Sequence, residues 1–262
     1  MKNIVITGST RGIGLCMAKE FLINGCNVTV SGRGAEPSEA LVELGSQYAS
    51  HFLYVPCNVQ CLADVQNLWH KSKARWGTID IWINNSGQNA PHDYVYNTEK
   101  MYVDDILSTN LVGMIYGCQV AGKGMLAQGG GAIYSMEGLG SNNMIQKKTI
   151  LYGTTKHALT YFMKGLAKEL KGTGVIVGRL SPGMMLTDFI KKSADGSVPA
   201  IESDKSFQRI FNILADRPET VAAFFVPKML TNTKNNAQIQ WLTNSKTVGR
   251  FLSAPFTRRK LV

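Results

Sequence analysis

The sequence predicts an α/β fold: a doubly wound parallel sheet covered by helices on both faces, three layers forming a single domain. Three observations carry this reading. Short β-rich runs alternate with helical segments through the N-terminal two thirds, and strands joined by crossover helices form parallel sheets buried on both sides. A glycine-rich turn, 7-TGSTRGIG-14, follows the first run and opens the first helix. The chain has 262 residues, 44% of them hydrophobic, enough to bury one large core.

Taken in order, strands are predicted at 3-NIVIT-7, 27-NVTVS-31, 52-FLYVPC-57, 79-IDIWIN-84, 131-GAIYS-135 and 174-GVIVGRL-180. The helix after the glycine turn is 13-IGLCMAKEFLING-25. Its Leu15, Ala18, Phe21 and Leu22 share one face, and Gly25 stops it. Ligands of such sheets sit at the carboxyl ends of the strands. The segment from about 185 to 235 is less regular, with Gly196, Pro199, Pro218 and Pro227 between helical pieces. An insertion placed there is expected to form a lid over substrate. Met184, Met185, Phe189, Ile190, Phe207, Ile210 and Phe211 in or beside it would either pack a core or line a pocket for a bulky hydrophobic ligand.

Composition excludes several classes. No apolar run reaches the roughly 20 residues that span a bilayer, and Met1–Thr7 enters a strand directly without a signal-like apolar region. A cytoplasmic protein with no transmembrane segment is expected. Cys16, Cys26, Cys57, Cys61 and Cys118 are odd in number and lack a Cys-x-x-Cys pair, which reads as reduced thiols and no metal site. The net charge of +10 favours anionic ligands. Only Arg258-Arg259-Lys260 forms a compact basic cluster, expected to be solvated surface, and no nucleic-acid-binding signature accompanies it.

Five constellations carry chemistry. In the first turn, Gly8, Ser9, Thr10, Arg11, Gly12, Ile13 and Gly14 combine close backbone approach with a helix N-terminus, the requirements of a pyrophosphate site. After the second strand stands Arg33, where an NAD-preferring fold usually carries an acidic residue. Arg33 with Arg11 suits a 2′-phosphate and favours NADP(H). The stretch 84-NNSG-87, with Asn84, Ser86 and Gly87, offers small residues at a strand end. In 181-SPGMMLTD-188, Pro182 and Gly183 break the last core strand, and Thr187 could donate to a nicotinamide carboxamide or a phosphate. Finally, Tyr152 and Lys156 stand four apart, so on a helix phenol and ammonium point the same way. A nearby ammonium favours phenolate and would bring the phenol toward a usable acid/base range.

Thr7–Gly14, 84-NNSG-87, 110-NLVG-113, Tyr152-x-x-x-Lys156 and 181-SPG-183, in this order, resemble the short-chain dehydrogenase/reductase family over essentially the whole chain. The resemblance implies a Rossmann-like fold, hydride transfer between NADP(H) and a small-molecule carbonyl or alcohol, and a homo-oligomer, dimer or tetramer. It implies that Tyr152 donates the proton, that Lys156 lowers its pKa and binds the nicotinamide ribose, and that Asn110 holds a relay water. Asn58, followed by Val59, stands where the family usually has an aspartate near the adenine. A narrower resemblance, through 132-AIYSMEGLGS-141, 211-FNILADRPETVAAFFVP-227 and 239-IQWLTNSKTVGRFLSAPFTRRKLV-262, is to the chlorophyll b reductase group. Those enzymes reduce a 7-formyl group with NADPH. A generic alcohol or steroid-type dehydrogenase and a non-catalytic NADPH-binding regulator are the alternatives.

One family feature is missing. The serine usually found after the fifth strand is replaced by Met136, Glu137 and Gly138. Ser141, brought inward through Gly138 and Gly140, is the expected substitute donor. The other reading is that Ser141 caps a turn, with water or a backbone amide taking that part. Glu137 would oppose alkoxide formation unless protonated or turned away.

Overall fold

The computed structural model describes residues 1–187, 195–196, 200–257 and 259–262. Asp188, Phe189, Ile190, Pro199 and Arg258, singled out above, lie outside the described residues. The elements are β1 (Asn3–Ile6), α1 (Gly12–Ile23), β2 (Asn27–Gly32), α2 (Glu39–Gln47), β3 (Phe52–Pro56), α3 (Leu62–Trp76) and β4 (Ile81–Asn84). Next come α4 (Lys100–Leu107), a π-turn (Ser108–Val112), α5 (Gly113–Gln128), β5 (Gly131–Met136), α6 (Ile150–Glu169) and β6 (Val175–Ser181). They are followed by α7 (Ala200–Ser203), α8 (Lys205–Leu214), α9 (Pro218–Thr231), β7 (Ala237–Gln240) and α10 (Asn244–Ser253).

The strands form a parallel sheet in the order β3-β2-β1-β4-β5-β6-β7. The chain winds outward from β1 in one direction and then returns to begin β4 beside it. The crevice at this reversal, between the carboxyl ends of β1 and β4, is where such sheets bind ligands. Alternation along β1 serves both layers: Ile4 and Ile6 face α1 and α9, whereas Val5 faces the cluster built on Trp82, Ile133 and helices α3, α5 and α6. Gly25, at φ +74°, lets the chain turn out of α1 as expected.

Two expectations are corrected here. The strand β7 was not foreseen, because Ala-Gln-Ile-Gln buries only Ile239 and owes its strand form to pairing with β6. The expected lid segment, about 185 to 235, contains a helix that belongs to the core instead. Val221, Ala222, Phe225, Val226 and Met229 of α9 are buried against the sheet in one cluster with Met17 and Phe21 of α1, so α9 is part of the core layer. Pro218 opens that helix at its first turn, where a missing N–H costs nothing. Before α9, Phe211, Ile201 and Ala215 form a separate small cluster joined by Met184, Leu186, Phe207 and Leu261.

The basic tail is also corrected. Arg259 is not free surface charge: its guanidinium donates to the carbonyls of Ile213 and Ala215, both at 2.8 Å, and to Asp216 Oδ1 at 2.8 Å. Buried Asp216 receives Arg250 at 2.7 Å and the Trp241 indole at 2.6 Å on its other oxygen. Its backbone pairs with Met184 and Leu186. The tail thus fastens the segment that follows β6.

Candidate active site

The glycine turn has little room below it and open space above. A Cβ on Gly8 would lie 2.7 Å from Ser86 Oγ, and one on Gly14 would lie 2.5 Å from Asn85 Nδ2 and 2.6 Å from the Gly8 carbonyl. Gly8 and Gly12 take φ +60° and +56°, which side chains disfavour. At Gly12 the nearest atom to a built Cβ is Thr187 Cγ2 at 3.8 Å. No side chain caps α1, and the positive end of that helix suits an anion. This cradle fits a dinucleotide pyrophosphate, and Thr187 faces it across the cleft.

Ser9 and Thr10 support the turn from beneath. Ser9 donates to the Ile6 carbonyl at 2.6 Å and receives the Ser31 N–H at 3.0 Å, while a Cβ on Gly32 would strike Thr10 Cγ2. Ile13 is buried, whereas Arg11 and Arg33 are exposed at the same end of the sheet. Asn58 shapes the end of β3: its N–H donates to Asp64 at 2.9 Å and its Oδ1 accepts from Gln60 N–H. Val59 packs so tightly that a Cβ on Gly113 would meet it at 2.8 Å.

In 84-NNSG-87 the expected division of labour changes. The Asn84 side chain is turned into the core, accepting from the Trp82 indole at 2.8 Å and donating to Cys118 and to Ser135 at 3.3 Å. It does not reach the cleft. Asn85, which the sequence reading passed over, donates to the carbonyls of Thr7 and Gly8 at 3.0 and 2.8 Å and so anchors the glycine turn. Thr7 Oγ1 in turn receives the N–H groups of Asn85 and Ser86. The double Asn gave no signal of which side chain points where; strand alternation at the end of β4 decides it. Gly87 lies beside the active residues, with a built Cβ 3.5 Å from Asn110 Oδ1 and 3.8 Å from Lys156 Nζ. On the opposite edge, Pro182 is buried and Gly183 turns the chain at φ +72°.

The catalytic candidates converge at the ends of β4 and β5. Lys156 is buried, and its ammonium donates to the Met136 carbonyl at 3.0 Å. It lies 5.6 Å from the centre of the Tyr152 ring. Asn110 sits in the π-turn, a rare distortion frequent at functional sites. Its amide clasps Gln88 in both directions, accepting from the N–H at 2.8 Å and donating to the carbonyl at 2.9 Å, and reaches Thr155 at 3.2 Å. The Tyr152 hydroxyl lies over Gly138, where a Cβ would sit 2.3 Å from it. The glycine is there to admit the phenol. Gly140, at φ +97°, likewise packs directly on the Gly153 backbone.

Burial raises the Tyr152 phenol above its ordinary range, opposite to the lowering expected from a nearby ammonium, because the enclosed site disfavours the charged phenolate. Lys156 is pushed down to about 8 by burial, with the Glu137 charge acting against that fall. Glu137 itself is turned away from the phenol into a buried ion pair with Arg179. Ser141 accepts from the Gly138 N–H and donates to the Lys156 carbonyl, both at 3.2 Å, which ties the 138–141 turn to α6. Beside Tyr152 lies a small recess of about 10 Å³ lined by Ala90, Pro91, Val95, Lys148 and Ile150. At its rim Tyr94 and Tyr96 stack at 5.4 Å, with the Lys148 ammonium 5.3 Å above Tyr94.

With this geometry in place, comparison with known proteins is decisive: the family described as short chain dehydrogenase matches residues 2–197. The chain belongs to the short-chain dehydrogenase family. It is accordingly an oxidoreductase acting on carbonyl or hydroxyl groups. It is 34% identical over 262 residues to chlorophyll(ide) b reductase NOL, chloroplastic, of Arabidopsis thaliana, covering 96% of this chain and 73% of the relative. It is 34% identical over 260 residues to probable chlorophyll(ide) b reductase NYC1, chloroplastic, of Oryza sativa, covering 92% of this chain but 50% of the relative. The chain therefore spans about half the length of that second protein. Among solved structures, ElxO with NADP bound superposes with a TM-score of 0.80 at 24% identity, covering 94% of this chain and 99% of that one. Among the described residues no helix is long and apolar enough to cross a membrane.

Proposed function

We propose that the chain is an NADPH-dependent carbonyl reductase in which Tyr152 is the proton donor, acting on a bulky hydrophobic aldehyde or ketone such as the 7-formyl group of chlorophyll(ide) b. The observation that carries this reading is the convergence of Tyr152, Lys156 and Asn110 at one side of the crevice whose floor is the glycine turn. The glycine turn and α1 N-terminus would hold the pyrophosphate, with Asn58 and Val59 near the adenine, and Arg11 and Arg33 suit a 2′-phosphate. Ser86, Gly87, Pro182, Gly183 and Thr187 would border the nicotinamide half. When bound, the nicotinamide supplies a hydride to the carbonyl carbon.

The chain's own residues handle the proton. With its phenol raised by burial, Tyr152 is fully protonated at neutral pH and presents its hydrogen to the carbonyl oxygen. Charged Lys156 stabilises the phenolate that develops as that proton leaves. Asn110, by fixing Gln88, holds the strand-end loop against α6, where a relay water would bind. Ser141 can polarise the carbonyl only by rotating its hydroxyl away from Lys156.

The substrate class is supported by the rim and by the two plant relatives. Val95 lines the recess beside Tyr152 and Tyr96 follows it in the chain, both exposed, which offers apolar surface to a large ring system. The cytoplasmic location and homo-oligomer expected from sequence belong to this proposal.

The test is NADPH oxidation against a panel of chlorophyllide b, steroid ketones and aromatic aldehydes, with NADH and Tyr152→Phe as controls. Turnover of chlorophyllide b with NADPH, reduced about 10²-fold or more in the variant, is the expected result. Turnover only of steroid ketones or simple aldehydes would overturn the tetrapyrrole assignment. Tight NADPH binding without turnover of any carbonyl would overturn the enzymatic role of the site.

A further inference from the structure

Glu137 is 2% exposed and stands one residue beyond the Met136 carbonyl that receives Lys156. Its N–H extends the ladder to β6 through the Leu180 carbonyl at 2.8 Å. Its carboxylate is held from three elements. Oε1 receives Arg179 Nη1 of β6 and Thr160 Oγ1 of α6, each at 3.3 Å, and Oε2 receives Gln238 Nε2 of β7 at 2.6 Å. The same Thr160 hydroxyl lies 3.1 Å from the Lys156 carbonyl, which Ser141 also contacts. A buried ion pair is weak evidence for stability, since apolar replacements of equal volume often do as well. What distinguishes this one is its place, directly behind the lysine of the active site.

We infer that Glu137 is a positioning residue for Lys156, clamping through Thr160 the turn of α6 that carries it and placing a buried negative charge one residue beyond the carbonyl that holds its ammonium. Arg179 stands 3.3 Å from the carboxylate, and the neutral donors Thr160 and Gln238 complete its shell. Among the described residues, the other elements around Lys156 contribute uncharged or titratable neighbours, and Arg179 meets the Glu137 carboxylate only through Oε1. Gly87 follows β4 and Asn110 lies in the π-turn, while Tyr152 and His157 flank it on α6, His157 having Nδ1 3.3 Å from the Gly140 carbonyl. Burial depresses Lys156 to about 8 while Glu137 raises it. Loss of the carboxylate charge therefore moves the lysine further down, and the charged form disappears at a lower pH.

The experiment is an NMR titration of the full chain labelled with ¹³Cε-lysine, the Lys156 signal being assigned by Lys156→Arg. Glu137→Gln is expected to lower the Lys156 midpoint by about one pH unit, while Glu137→Asp, which keeps the charge, holds it near the parent value. An unchanged midpoint in folded Glu137→Gln overturns the inference, as does a Glu137→Asp midpoint that falls as far as the Gln variant. Should Glu137→Gln fail to fold, the double variant Glu137→Gln/Arg179→Gln removes the unpaired cation. A lowered midpoint there supports the inference and a parent-like one overturns it. The importance of the charge for turnover rests on the proposed part of Lys156 in proton transfer. Those two readings separate in the pH profile of chlorophyllide b reduction. An alkaline limb that moves with the midpoint supports both. A moved midpoint with an unmoved limb keeps the electrostatic coupling and overturns the catalytic part assigned to Lys156.

Discussion

Gly138→Ala isolates the placement of the Tyr152 hydroxyl. Gly138 is absent from the positive-φ positions, so alanine suits its backbone and the whole effect is steric. The added Cβ would lie 2.3 Å from Tyr152 Oη, 3.1 Å from Cζ and 3.3 Å from Lys156 Cγ, against ordinary contact beginning at 3.4 Å. Relief requires the phenol to retreat by about 1 Å. Misplacement on that scale costs about 10²-fold in rate, equivalent to about 2.7 kcal/mol of transition-state stabilisation. Overpacking typically removes about 1–3 kcal/mol of stability. The expected outcome is a folded protein, by circular dichroism, with near-parental NADPH affinity by fluorescence titration and kcat reduced about 100-fold. Gly165→Ala provides the control in the same helix as Tyr152, since nothing lies within 4 Å of its added Cβ; it should leave kcat unchanged. A Gly138→Ala enzyme with kcat within threefold of the parent would refute the claim that this glycine sets the position of the phenol.

Three further variants probe particular contacts. Ser141→Ala should cost only about 3- to 10-fold in kcat, because the hydroxyl proton lies on the Lys156 carbonyl and the loss is of an anchor; a loss above about 10²-fold would make Ser141 the carbonyl-polarising donor. Asp216→Ala strips a buried carboxylate from Arg250, Arg259 and Trp241 and should lower unfolding free energy by about 3 kcal/mol. Arg259→Ala, at a side chain 34% exposed, should cost less than about 1 kcal/mol. Urea denaturation measures both, and equal losses would show that the tail, not the buried carboxylate, dominates this contact.

Much of the active site was legible in the residues because its chemistry is local. The glycine turn needs glycines at Gly8, Gly12 and Gly14 wherever a strand hands over to a helix around an anion. The four-residue spacing of Tyr152 and Lys156 fixes a shared helical face. Strand positions were legible for the same reason, since β1 to β6 are short runs between turns in which β-branched or aromatic residues recur. What was illegible depends on partners distant in the chain. Nothing in 84-NNSG-87 reveals that Asn84 points to Trp82 and Cys118 while Asn85 holds the glycine turn. Strand β7 exists because β6 offers it an edge. The tail cluster looks solvated until Asp216, more than 40 residues earlier, is found beside Arg259.

The sequence by itself therefore determined the alternating α/β order, the phosphate-binding turn and the Tyr-Lys pair, all set by contacts within a few residues. Tertiary structure alone decided which way Glu137 faces. By sequence it stands in the place of a catalytic hydroxyl, a threat to any developing alkoxide. In the fold, Arg179, Thr160 and Gln238 draw the carboxylate behind Lys156, because a charge taken out of water rests where donors from several elements can meet it. Such a meeting place exists only after β5, β6, β7 and α6 have packed together.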